Sequence, residues 1–157
     1  MTAQIPDTFI FQGYQYSLIE ITGNNLASLN KFGMEPKVID TSCYRGYYAT
    51  YELKENALYL KELTVREKNK HYPPIDGIKP IKDGCKASYS NLCIAVYFSG
   101  KILLAKDFIH ELYIHMGYQR PIAFKKVLDI TLQDGKIVNI KDRSKEIKII
   151  RNSRGEI

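Results

Sequence analysis

Apolar and polar residues alternate with a period of two along most of this chain, and the alternating runs are divided by short clusters of turn formers. Thr8 to Gln12 and Tyr14 to Thr22 are rich in aromatic and β-branched residues and meet at Gly13, which predicts a hairpin or one long bulged strand. Ser28 to Val38, with Gly33 and Pro36 inside it and Asn24-Asn25 before it, is expected to be a connector. Gly46 to Lys54 and Ala57 to Val65 flank Glu55-Asn56, a pair suited to a two-residue hairpin loop. That register sets Leu53 opposite Leu58 and Tyr51 opposite Leu60, on one apolar face.

Arg66 to Ser90 breaks the rhythm with Pro73-Pro74, Asp76-Gly77, Pro80 and Asp83-Gly84, so a long loop is expected there. Within it, Tyr72 to Lys82 reads either as a recognition loop or as a cover over one end of a sheet. Leu92 to Tyr97 and Lys101 to Ala105 suggest an apolar hairpin around Ser99-Gly100. In Asp107 to His115, Phe108, Leu112 and either Ile109 or Met116 fall at helical spacing, which predicts a short helix capped by Asp107 and ended by Gly117. Lys126 to Leu132 and Lys136 to Lys141 form a last hairpin, whose three-residue loop would pair Leu132 with Lys136, Ile130 with Val138 and Leu128 with Ile140. Ser144 to Asn152 fits a terminal helix capped by Ser144 or a further strand. These elements predict a mainly β fold, with α+β as the variant. The strands form an antiparallel meander of eight or nine, barrel-like or two-layer, beside one or two short helices.

A length of 157 residues suits a single domain spanning 1–157, and 45% hydrophobic against 25% charged residues is the balance of a folded chain. No run approaches the roughly 20 apolar residues of a membrane-spanning helix, and the first residues lack the pattern of a signal peptide, so a cytoplasmic location is expected. Three cysteines, Cys43, Cys85 and Cys93, at irregular spacing argue for reduced, mostly buried thiols. The net charge of +6 lies mainly in residues 120–157, which hold ten Lys/Arg against five Asp/Glu. The charges alternate in sign there, so a solvated edge is the simpler reading and nucleic acid ranks last among partner classes.

Catalytic signatures are missing from the sequence: it contains no GxSxG elbow, phosphate loop or GxGxxG. His110, Glu111 and His115 spell HELYIH, but histidines five residues apart lie about 140° apart on a helix and cannot share an ion. No catalytic residue, metal or cofactor is therefore assigned, and an enzyme is the less favoured class.

The most distinctive chemistry is Cys43 to Tyr51, which sets four tyrosines around Arg45. If Tyr47, Ala49, Tyr51 and Leu53 point inward, Arg45 falls on the same face near its open end. A guanidinium there needs a partner, and Glu62 on the adjoining strand falls on the same face in the two-residue register, which predicts a structural ion pair capping the core. The alternative is an anion or nucleotide site in which Arg45 binds charge, Tyr44, Tyr48 or Tyr118 stacks, and His115 and Gln119 contribute.

The run CYRGYYATYELKENALYLKEL, then IDGIKP, then YFSGKILLAKDFIHELYIHMGYQRP and FKKVLDITLQDGKIV, resembles an uncharacterised family of small bacterial proteins. Its pattern has a CxRGY segment before a strand pair and an LYxHMGxQxP segment. The resemblance implies a bacterial or phage-related cytoplasmic protein and brings no activity with it. Tryptophan is the commoner residue of that family at Tyr44, which implies an aromatic packing position. Together these features point to a binding module. A protein-interaction role, immunity-type or regulatory, is preferred, with a small-molecule or nucleotide-binding protein using an anion site near Arg45 as the alternative. An open-edged antiparallel sheet would also be compatible with a dimer.

Overall fold

The computed structural model describes residues 3–23, 26, 29–115 and 117–154; Asn24, Asn25, Ser28 and Met116 lie outside that set. The chain is mainly β. Ten strands are described: β1 (Thr8–Phe11), β2 (Tyr14–Gly23), β3 (Tyr47–Lys54), β4 (Ala57–Val65), β5 (Ile81–Asp83), β6 (Lys86–Tyr89), β7 (Ile94–Ala95), β8 (Gly100–Phe108), β9 (Phe124–Gln133) and β10 (Lys136–Asp142). One α-helix, α1 (Ser144–Arg154), follows them, which resolves the choice left open for that segment. Ser144 does not cap it as expected. Its Oγ accepts from the Val127 amide, while Asp142 Oδ1 accepts the Ser144 amide.

The strands run in the order β10-β9-β8-β2-β1-β3-β4-β6-β5, and a single pair, Lys136 opposite Ala57, joins β10 to β4 and closes a ring. Among these ten strands all pairings are antiparallel except β1 with β3, where Phe9 lies opposite Tyr51 in parallel register. This departs from a pure meander. Parallel neighbours need a long crossover, and the stretch between β2 and β3 supplies it, burying Leu29 and Met34 on its way. The expected β7 to β8 hairpin is also absent among the described residues, because β7 pairs with β4 while β8 lies between β2 and β9.

Turn chemistry decided two registers. Glu55 and Asn56 both take left-handed backbone (φ 53° and 65°), and Leu53 opposes Leu58 and Tyr51 opposes Leu60 as predicted. Asp134 and Gly135 do the same (φ 49° and 78°), so the last hairpin turns on two residues, not three. Leu132 therefore meets Ile137, and a bulge at Val138 leaves Ile130 opposite Ile140 and Leu128 opposite Asp142.

The helix expected at 107–115 is not formed. Asp107 is left-handed (φ 61°) and cannot cap, Phe108 stays in the ladder opposite Phe124, and only a short 3-10 turn, His110–Leu112, follows. The long 66–90 connection carries β5 and β6. Its Tyr72 to Lys82 stretch packs as a cover, with Ile75 buried and the Tyr89 hydroxyl donating to Pro73 O at 2.6 Å.

Two apolar layers result. The larger includes Phe9, Tyr51, Leu60, Leu63, Ile102, Leu104 and Ile130 inside the ring. The smaller, with Ile19, Leu103, Ala105, Phe124, Val127 and Ile147, lies under α1. β8 alternates between them, which explains its near-continuous apolar run.

Candidate ligand-binding site

Alternation along the first strand extends one step before it: Asp7, Phe9 and Phe11 share the inner face, and all three are buried. A buried carboxylate requires compensation. Arg45 supplies it from the turn that precedes β3, donating from Nη1 to Asp7 Oδ2 at 3.1 Å and from Nη2 to Oδ1, while the Ala49 amide donates to Oδ1 at 2.8 Å. The ion pair is bidentate, the geometry that best matches guanidinium to carboxylate. Burial works against the Arg45 charge, but the hydrogen bonds and charge of Asp7 outweigh it and hold the guanidinium protonated. Its plane lies over the Tyr47 ring at 4.6 Å.

The partner is therefore Asp7, not Glu62. A bulge at Lys61 shifts the β3 to β4 register by one residue, setting Glu62 opposite Thr50 and Leu63 opposite Ala49. A one-residue slip exchanges the faces, so Leu63 takes the buried side and Glu62 turns out to solvent.

The ion pair forms part of a cavity of about 460 Å³ lined also by Leu18, Ile19, Glu20, Ile21, Thr22, Leu26, Tyr47, Tyr51 and Tyr118. β2 bulges at Ile19, between Leu18 and Glu20, and so widens the sheet at this wall. Burial raises the Tyr47, Tyr51 and Tyr118 phenols above their ordinary range, so all three are neutral donors at pH 7. Two polar atoms here lack any partner: the Tyr51 hydroxyl, on a fully buried side chain, and Arg45 Nε. With Asp7 and Arg45 cancelling each other, the remaining charge on the lining is the Glu20 carboxylate.

A second cavity, of about 260 Å³, adjoins the first through Ile19 and Tyr118, which line both. Its other walls include Pro6, Ser17, Phe108, Tyr113, Gln119 and Phe124. The Gln119 amide is committed to the Ile114 backbone, accepting from its N at 2.9 Å and donating to its O at 2.8 Å.

Of the residues predicted from the sequence, Arg45 and Tyr118 meet in the first cavity, and Tyr118 and Gln119 in the second. Tyr44 is exposed, so it is not a packing position, and its amide donates to Gln4 Oε1. Tyr48 lies on the opposite face of β3 from Ala49, near Lys86. His115 is exposed, with Nδ1 2.9 Å from the Tyr113 hydroxyl. None of these three lines either cavity. Asp7, Glu20, Tyr47 and Tyr51 complete the site and were missed. The period-two signal that sets Asp7 beside Phe9 was present, but nothing in the sequence joins it to a residue 38 positions away.

Cys43 is buried beside this site and burial pushes its thiol up; its Sγ donates to Tyr47 O, which disfavours a nucleophile. Cys85 and Cys93 are exposed, contrary to expectation. Part of the basic C-terminal quarter is committed internally, through Lys126 with Asp142, Arg143 with Glu146, and Arg151 on the Ile122 and Phe124 carbonyls. Among the described residues no group of three His, Cys, Asp or Glu is placed to hold a metal ion, and no helix is long and apolar enough to cross a membrane. Comparison with protein-family models, with curated proteins and with solved structures finds no match to this chain.

Proposed function

We propose that this protein binds a small uncharged molecule, presenting an oxygen acceptor on a flat apolar body, in the Asp7–Arg45–Tyr51 cavity. The observation that carries this reading is the Tyr51 hydroxyl, buried and unpartnered on the cavity wall. A polar group left so costs about 1–3 kcal/mol unless something bonds it. Arg45 Nε–H is a second buried donor without a partner among the residues that line the cavity. The volume lies within the usual range for small-molecule sites, and tyrosine rings make up much of the wall. An anion is disfavoured on electrostatic grounds, since Arg45 is already neutralised and Glu20 adds negative charge.

Three size-matched probes test this: benzamide, benzoate and benzamidine, titrated by NMR with the unfolding temperature measured in parallel. Benzamide is expected to bind at least about 10-fold more tightly than either charged isostere. Tyr51→Phe should weaken benzamide about 5-fold, the equivalent of one neutral hydrogen bond, without lowering the unfolding temperature. Absence of benzamide binding, or benzoate binding as well as benzamide, overturns the proposal.

A protein-interaction role, immunity-type or regulatory, is the second reading, favoured by the exposure of Tyr14, Tyr44, Tyr97, Tyr113 and Tyr118. Rings of this kind serve as interface anchors. Affinity purification from a bacterial lysate that recovers no stoichiometric partner counts against it.

A further inference from the structure

We infer that the ligand is an amphiphile, its polar oxygen held in the Asp7–Arg45–Tyr51 cavity and a short apolar tail seated in the adjoining cavity beside Phe108 and Phe124. This rests on the ligand-binding reading above and names the class of ligand it would take. The first support is continuity. Ile19 and Tyr118 form walls of both chambers, and Ile19 is the residue that the β2 bulge inserts, so the distortion of the strand lies where the two spaces meet.

The second support is the chemistry of the smaller chamber. Its two amides are both committed: Gln119 closes on Ile114, while Gln4 donates to Thr41 O and accepts from the Tyr44 amide. What these residues leave toward an occupant is Pro6, Ile19, Phe108, Phe124 and the ring of Tyr113, with the Ser17 hydroxyl as a small polar spot among them, and such a mostly apolar surface rewards methylenes and not charges. The polar donors without partners are at the other chamber. Head and tail thus have separate seats, and Tyr118 stands between them with an apolar ring and a neutral hydroxyl.

The test extends benzamide with 4-ethyl, 4-butyl and 4-hexyl chains and measures affinity by calorimetry. Each methylene that enters the second chamber should tighten binding about 3- to 4-fold, until the space is filled. Ser17→Leu, which fills that chamber from β2, should leave benzamide itself unchanged and abolish the gain from chain length. Ala3→Leu plugs the same space from another segment and serves if Ser17→Leu does not fold. If benzamide binds but affinity is flat along the series, or the gain survives in a folded plugged variant, the tail site is wrong and the head site stands. If neither benzamide nor its homologues bind, both readings fall together.

Discussion

Arg45 and Asp7 are unequal partners, because the carboxylate is almost wholly buried while about 30% of the guanidinium side chain is exposed. Arg45→Ala strands a buried charge on one remaining donor, the Ala49 amide, and should cost about 3–4 kcal/mol. Asp7→Ala leaves a guanidinium that can turn toward water and should cost less, about 2–3 kcal/mol. The double variant should lose at least ~1 kcal/mol less than the sum, as read from urea unfolding; strict additivity would show that the two do not act as a pair. The pair also marks how far residue-level reading of the sequence reaches. Alternation placed Arg45 on the inner face and demanded an acidic partner for it, correctly. It chose Glu62 because a bulge at Lys61 has no sequence signature, and it passed over Asp7 because the parallel β1 to β3 pairing that brings the two segments together is invisible to hairpin logic.

At the scale of elements, the turn that presents Arg45 depends on Gly46. Gly46 and Gly13 have nearly the same backbone, φ 83° and 82°, so alanine meets the same intrinsic strain of about 1–2 kcal/mol at both. Their surroundings differ. A Cβ on Gly13 meets open space, whereas on Gly46 it would lie 2.7–2.8 Å from the Lys37 backbone carbon and nitrogen. Gly13→Ala should therefore cost only the intrinsic strain. Gly46→Ala should cost roughly 3 kcal/mol or more and displace Arg45, abolishing probe binding even where the protein remains folded. Equal effects in denaturant melts would mean that the Lys37 backbone does not confine this turn. Strands with a tight turn at one end were legible from the chain, as the β1, β3 and β9 hairpins attest. The 107–115 segment was not. Its helical spacing is a by-product of side chains that the β8 to β9 ladder and the Ile109 amide's bond to Ala123 O place outside any helix.

Across the whole molecule, two carboxylates tie separate elements together, and both have lowered pKa values. Glu67 gathers the amides of Asn69 and His71 on Oε1 and of Glu35 on Oε2, tying the 66–90 connection to the crossover before β3. These backbone hydrogen bonds, led by that from His71, lower its pKa despite burial. Asp142 receives Lys126 and Ser144 at the start of α1 and is held down to about 2, chiefly by the Lys126 hydrogen bond. A carboxyl that is more acidic folded than unfolded stabilises the fold above its unfolded value, roughly pH 4 to 4.5, and loses that contribution as pH falls toward its folded value. Stability should thus be flat from neutrality to about pH 5 and decline between about pH 4.5 and 2. Glu67→Gln removes one of the titrations in this window, so its pH profile should be shallower than the parent's there. Hydrogen exchange should show residues 35–37 and 67–75 losing protection before β8 and β9, because the former are fastened through Glu67 and the latter through the apolar layers on both faces. Uniform loss of protection on acidification would mean that Glu67 is not the pin, and that the cover over this end of the ring is held by Ile75 and Tyr89 alone.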